Sequence, residues 1–171
     1  MQGGTGRVTA LETVPGVLAR LETWFVEEWP GWYGPGGAGD ASRDLGACLQ
    51  APGRLPRCLV SLDGLGAVIG TVSLRDTSPG SDRYPGVWLT ALLVPPPLRR
   101  TGIGTGLVAA AEAEALRLGF SEIHASTANA QSLFRRRDWI VHDSLKIRET
   151  VLDIFRKPLQ TSPGKSERPG S

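Results

Sequence analysis

Between Val14 and Trp29 the apolar positions (Val14, Val17, Leu18, Leu21, Trp24, Phe25 and Trp29) recur every three or four residues. That spacing predicts an amphipathic helix, with Thr13 placed to cap it. Upstream, Arg7–Glu12 alternates weakly and predicts a first strand. Pro30 and the run GWYGPGGAG end the helix, and Asp40 is set to cap a shorter one carrying Leu45, Cys48 and Leu49. From Cys58 the period shortens to two. Cys58–Leu62 and Ala67–Leu74 flank Asp63-Gly64, a hairpin signal with a loop longer than two residues. A polar loop, Arg75–Gly86, leads to Val87–Val94, whose nearly continuous apolar run suits a central strand buried on both faces. After three prolines, Gly102–Leu118 predicts a helix, with Gly119 where a left-handed C-cap belongs. Ser121–Thr127 then predicts a strand, Ala130–Arg137 a short helix, and Trp139–Leu145 with Thr150–Arg156 a closing antiparallel pair. The order β-α-α-β-β-β-α-β-α-β-β implies an α/β protein, a mixed sheet with helices on both faces.

Composition narrows the class. The chain has 171 residues, 40% hydrophobic and 21% charged, which fits one globular domain. We assign residues 7–159 to it, with a flexible 1–6 and a disordered tail from 160 to 171, where QTSPGKSERPGS is rich in Pro, Gly and Ser. No apolar run approaches the roughly 18–20 residues that span a bilayer. The first residues lack a signal-peptide pattern, so a cytoplasmic location is expected. Cys48 and Cys58 have no histidine at ligand spacing. Both are expected to stay reduced, and no metal site is expected. A net charge of +2 is too weak to imply nucleic acid or a membrane as partner. Its distribution is more informative: residues 1–80 carry eight acids and six bases, residues 81–171 nine acids and thirteen bases. An anionic partner is expected against the second half.

The chemistry concentrates in one stretch, Leu92-Leu93-Val94-Pro95-Pro96-Pro97-Leu98-Arg99-Arg100-Thr101-Gly102-Ile103-Gly104-Thr105-Gly106. It is a strand, a tight loop and a helix N-terminus, where backbone amides lack internal partners and the helix dipole is positive. Glycines let an anion approach those amides, and Arg99 and Arg100 add charge for phosphate oxygens. The dinucleotide fingerprint is met only loosely, by Gly104, Gly106 and Ala109, and the triphosphate loop G-x-x-x-x-G-K-[ST] is absent.

The same stretch resembles the acyl-CoA signature of the GNAT superfamily of N-acetyltransferases, V-x-P-x-x-R-x-x-G-x-G, through Val94, Pro96, Arg99, Gly102 and Gly104. Leu118-Gly119-Phe120, Asn129-Ala130 with Leu133-Phe134, and Arg156-Lys157-Pro158-Leu159 extend the resemblance over about Cys58–Leu159. It implies a mostly antiparallel sheet of about seven strands, acetyl-CoA as cosubstrate, and direct attack of a primary amine of a small molecule or peptide. Leu92, Leu93 and Val94 would hold the pantetheine arm, with the Leu93 amide polarising the acetyl carbonyl. Amides of Arg100, Thr101, Gly102, Ile103, Gly104 and Thr105 would cradle the pyrophosphate beside Arg99 or Arg100, and Asn129 would face the pantetheine. Glu28, with Glu27 beside it, lies where the family borders its acceptor site, and Glu28 is the candidate base.

The family's frequent proton donor, the Tyr closing N-A-x-x-L-Y, is replaced by Phe134, which cannot donate. Departure of the thiolate without an enzyme acid, and a displaced donor at Ser126, Ser132 or Tyr84, both stay open. Phe134 is expected on a short helix with its ring edge near the thioester sulfur. A non-catalytic acyl-CoA-binding module is the rival reading. His124 reads as a core histidine and His142 as exposed. Arg135-Arg136-Arg137 reads as a solvated helix face, Asp138 as a left-handed turn residue, and Trp32 and Tyr33 as pocket lining or packing. Monomer and homodimer both remain possible, the latter through an exposed closing strand.

Overall fold

Strand alternation divides the core into two layers, one on each side of a single sheet. The computed structural model describes residues 6–50 and 53–160, so the segments assigned as flexible start and tail fall almost wholly outside the described residues. Strands β1 (Arg7–Ala10), β2 (Arg57–Leu62), β3 (Val68–Arg75), β4 (Val87–Leu93), β5 (Glu122–Thr127), β6 (Ile140–Ile147) and β7 (Thr150–Pro158) join in the order β1-β2-β3-β4-β5-β7-β6. Neighbours are antiparallel except β4 and β5, which run parallel. Helices α1 (Leu18–Glu28), α2 (Pro30–Tyr33), α3 (Ala41–Ala47), α4 (Ile103–Arg117) and α5 (Gln131–Arg136) cover its faces. This is the seven-stranded, mostly antiparallel sheet expected.

On one face, Val72, Leu74, Val87, Leu89, Ile123 and Phe155 meet Ile103, Leu107, Val108, Ala111 and Ala115 of α4. On the other, Cys58, Val60, Leu62 and Leu93 meet Leu21 and Phe25 of α1 and Ala41 and Leu45 of α3. Gly70 makes the first contact possible: a Cβ there would lie 2.9 Å from Leu107 Cδ1 and 3.0 Å from Ile103 Cγ2. Cys48 and Cys58 are buried free thiols, and burial pushes Cys48 up to about 12. Among the described residues no helix is long and apolar enough to cross a membrane, and no group of three potential metal ligands gathers.

Several local expectations shift. Thr13 does not cap α1; its hydroxyl donates to the Ala10 carbonyl at 2.8 Å, and Pro15–Val17 forms a 3-10 turn before the helix begins. Pro30 opens the single turn of α2 instead of ending all helix, because its fixed φ and missing N–H suit a first helical position. Asp40 does cap α3, accepting from the Arg43 amide at 2.9 Å. Gly119 (φ 95°) and Asp138 (φ 64°) are left-handed as expected. Whereas Arg135 and Arg136 are exposed, Arg137 is partly buried and paired. Its Nε donates to Glu112 Oε2 at 3.1 Å, and Lys157 pairs with the same buried carboxylate, tying α4 to the turn before β6 and to β7.

Candidate active site

Two features of β4 create the site. The first is its brief pairing with β5, which is confined to Val87 with Ile123 and Trp88 with His124. Beyond that rung the strands separate, and β4 has no partner on its β5 side among the described residues. The second is a bulge. Ser73 opposes Thr90 but Thr71 opposes Leu93, so Ala91 and Leu92 together face the single residue Val72. Ala91 takes φ 50° to accommodate the extra residue. Side-chain alternation reverses there: Leu89 faces α4, and Leu93, four residues on, faces α1. A bulge releases a backbone group from the ladder, here on the strand that borders the split. The bulge ends at Leu93, the residue whose amide is expected to meet the acetyl carbonyl, which is buried opposite Thr71. Nothing in Ala-Leu-Leu announces it.

The loop after β4 ends in a run of backbone amides without backbone acceptors. Pro96–Leu98 forms a 3-10 turn, and the Thr101 hydroxyl donates to the Leu98 carbonyl at 2.6 Å. Arg100 (φ 63°) and Gly102 (φ 90°) are both left-handed. For an arginine that conformation costs about 1–3 kcal/mol, and such strain gathers at functional sites. Gly106 is the first amide of α4 to find a backbone acceptor, the Gly102 carbonyl at 3.0 Å. The amides of Gly102, Ile103, Gly104 and Thr105 have none among the described residues. These residues fit a pyrophosphate. A Cβ on Gly104 would sit 3.5 Å from Leu133 Cδ2 and 3.9 Å from Val94 Cγ2, so this glycine faces the gap between the end of β4 and α5. Across that gap, the Asn129 and Ala130 amides donate to Thr127 Oγ1 at 3.2 and 3.0 Å. The turn holds Asn129, an exposed residue, where β5 leads into α5.

Arg99 is hydrogen-bonded within the protein. Its Nε donates to the Val94 carbonyl at 2.8 Å, and its Nη2 donates to Glu28 at 3.2 and 3.4 Å from the two carboxylate oxygens. One of the two arginines expected at the phosphate and the carboxylate expected as base are thus partners, joining the end of α1 to the end of β4. Glu27 is exposed beside them. Phe25, Trp29 and Tyr33 pack together there, with ring centroids 5.3–6.3 Å apart. Tyr33 donates to Asp44 at 2.9 Å; burial first, and then this carboxylate, push its phenol up to about 12. Tyr33 is therefore packing, whereas Trp32 is 53% exposed.

Phe134 lies on α5 as expected, but its ring belongs to the α4-side core. It is 2% exposed, 4.8 Å from Trp139 and 5.4 Å from Phe155 between centroids. Of the alternative donors, Ser126 meets Ser78 at 3.4 Å, Ser132 is exposed, and Tyr84 donates to Asp143 at 2.8 Å. His142 is not exposed: it is half-buried, 4.3 Å from Tyr84 between ring centroids.

Comparison with known proteins agrees with this geometry. The model of the Acetyltransferase (GNAT) family matches residues 18–139. Solved structures share the fold. One is an aminoglycoside 6'-N-acetyltransferase complexed with coenzyme A, 13% identical, with a TM-score of 0.71 over 92% of this chain and 99% of that one. A second is a phosphinothricin acetyltransferase from Sinorhizobium meliloti in complex with AcCoA, 19% identical, with a TM-score of 0.70 over 95% of each chain. A third is a ribosomal-protein-alanine N-acetyltransferase from Brucella melitensis, 19% identical, with a TM-score of 0.70 over 90% of this chain and 99% of that one. No curated protein sequence matches the chain. Because the family match runs from α1 through the amide cradle to the turn before β6, the chain belongs to the Acetyltransferase (GNAT) family and is an acetyl-CoA-dependent N-acetyltransferase.

Proposed function

We propose that this enzyme acetylates a primary amine of a small, cationic acceptor, and that the split between β4 and β5 is where the acyl donor and the amine meet. The parting of the strands beyond Trp88 and His124 supports this reading most directly, because it leaves a strand edge beside a bulge and leads to an amide cradle. Acetyl-CoA supplies an activated acetyl thioester. The chain's own residues bind and orient it. Leu92–Val94 offer backbone groups to the pantetheine, the amides from Arg100 to Thr105 receive the pyrophosphate, and Asn129 lies across the gap. An amide at the bulge, between Ala91 and Leu93, would stabilise negative charge developing on the acyl oxygen. Arg100, exposed and held left-handed, is the cation nearest the cradle by sequence; Arg99 is engaged elsewhere.

On the acceptor side, Glu27, Glu28 and exposed Trp32 favour a cation. The three neighbours described above are named for an aminoglycoside, phosphinothricin and a ribosomal-protein alanine. Of these acceptor types, we place this enzyme's substrate with the small polyamines. The reading also places it in the cytoplasm, where two thiols stay reduced. The test is thiol release from acetyl-CoA with a panel of polyamines, amino acids and peptides, with the acetylated product weighed by mass spectrometry. Amine-dependent release supports the reading. Tight coenzyme A binding with no amine-dependent release would sink it.

A further inference from the structure

Six buried side-chain polar atoms on the α1 side of the sheet have no hydrogen-bond partner among the described residues. They are Ser73 Oγ, Thr90 Oγ1, both ring nitrogens of His124, His142 Nε2 and Arg156 Nε. The strand registers set them in one band. Ser73 opposes Thr90, His124 stands beside Trp88 and opposite Arg156, and His142 occupies the irregular position between Val141 and Asp143 in β6. Its ring comes within 5.6 Å of that of His124. His124 is 2% exposed and stacks on Trp88 (5.0 Å) and Tyr84 (5.7 Å). A phenylalanine would fill this aromatic slot without stranding two ring nitrogens, so packing alone does not account for a histidine here.

We propose that His124 takes the proton from the acceptor amine through a bridging water, and that His142 passes it to the surface. The proposal rests on the acetyl-transfer reading above and assigns that reaction its base. His124 occupies the last rung before β4 and β5 part, at the floor of the split. Thr90, two residues beyond Trp88 on the same face, points its buried hydroxyl toward this side just before the bulge. The outlet is equally defined: His142 lies 4.3 Å from Tyr84, which donates to Asp143 Oδ2, where exposed Arg83 also donates at 3.1 Å. In the step, an N–H bond of the ammonium breaks and its electron pair stays on nitrogen as the nucleophile. The proton passes across the water to an imidazole nitrogen, and leaves later by way of His142 to solvent. Glu28, by contrast, already holds the Arg99 guanidinium.

The surroundings keep His124 ready to accept. Burial pushes its imidazole below the ordinary value; His142 on β6 and Arg156 on β7 push the same way, while Glu122 on its own strand opposes them. Tyr84, from the loop above, is neutral in the neutral range, since Asp143 and burial raise its phenol. The imidazole is thus uncharged at neutral pH and free to take a proton.

Two measurements on the full chain decide the matter. Nitrogen NMR of the wild type with coenzyme A bound should show His124 titrating below about 6.5, and His142→Phe should move that titration. The ascending limb of kcat/KM for the amine should follow the same value. His124→Phe should lower kcat/KM about 10²–10⁴-fold at neutral pH, recover at high pH as the amine deprotonates by itself, and leave coenzyme A affinity unchanged. Glu28→Gln should retain the limb. A wild-type profile in His124→Phe would overturn the proposal. So would an ordinary titration of His124 that ignores His142→Phe, and this second result needs no folded His124 variant. If the wild type acetylates no amine at all, the acetyl-transfer reading fails first and takes this proposal with it. Turnover with an unaltered His124→Phe profile removes the proposal alone.

Discussion

The two faces of the sheet are built from the same strands but to different rules. Against α4, an apolar layer closes on the sheet at Gly70, and the charges buried there, Arg57 and Glu112, are ion-paired. Against α1, α3 and the loop before β4, apolar packing under Leu21, Phe25 and Leu45 gives way to serine, threonine, histidine and arginine with unsatisfied atoms. The first face leaves only Trp139 Nε1 and Glu12 Oε2 without partners among the described residues. The second accepts an energetic cost, about 1–3 kcal/mol for each buried polar group left unpaired, on the side of the split that the helix α1 borders. Most of the unpartnered polar atoms thus lie on one side of the sheet.

Point substitutions can break this comparison. On the α4 face, Leu107→Ala should cost about 2–5 kcal/mol in a denaturant melt, since Leu107 is wholly buried. Thr90→Val on the opposite face should be close to neutral or stabilising, because it removes an unpaired hydroxyl. Equal losses from the two would erase the distinction. Next in size, Gly104→Val should weaken coenzyme A at least tenfold, about 1.4 kcal/mol, measured by calorimetry. Its melting temperature should hardly change, because the new Cβ meets Leu133 and Val94 at ordinary contact distances while its methyl groups narrow the gap. Wild-type affinity in this variant would move the cosubstrate elsewhere.

A smaller effect depends on pH. His124 binds its proton less readily folded than unfolded, so its contribution to stability is complete above its ordinary value near 6.5 and is lost as pH falls toward the lower folded value. Thermal melts between about pH 7 and pH 5 should therefore fall more steeply for the wild type than for His124→Phe. Parallel curves would mean that the imidazole is not held below its ordinary value. The smallest effect belongs to the exposed pair of Arg99 and Glu28. A double-mutant cycle between Arg99→Ala and Glu28→Gln should give a coupling below about 1 kcal/mol. Arg99→Ala should weaken coenzyme A less than Arg100→Ala; the reverse order would return Arg99 to the phosphate.

Much of this fold was legible because its signals are local. Apolar spacing places α1 and α4, Asp40 marks its own helix start, and Gly119 and Asp138 sit at the left-handed positions their chemistry favours. The cradle was legible for the same reason, as glycines and arginines at a helix N-terminus carry their meaning within a few residues. The bulge was not, because Ala91 takes a left-handed conformation that only its pairing with β3 imposes. Nor was the union of Arg99 with Glu28, 71 residues apart. Arg137 likewise turned inward because Glu112, on another helix, needed partners. His142, expected at the surface, is half-buried at an irregular step in β6 that only the pairing with β7 reveals.

The two rungs joining β4 to β5 have a mechanical consequence. They are a seam between a four-stranded and a three-stranded half-sheet, reinforced from one side by α4 and interrupted above Trp88. A ligand lying along the free edge of β4 would act as a stitch across this seam. Amide hydrogens of β4 and β5 near the split should therefore exchange faster in the free enzyme than those of β2 and β3, and slow selectively when coenzyme A is bound. At a hundredfold excess over Kd, the whole domain would gain about 2.7 kcal/mol, with the opening of the seam becoming the motion that donor binding suppresses.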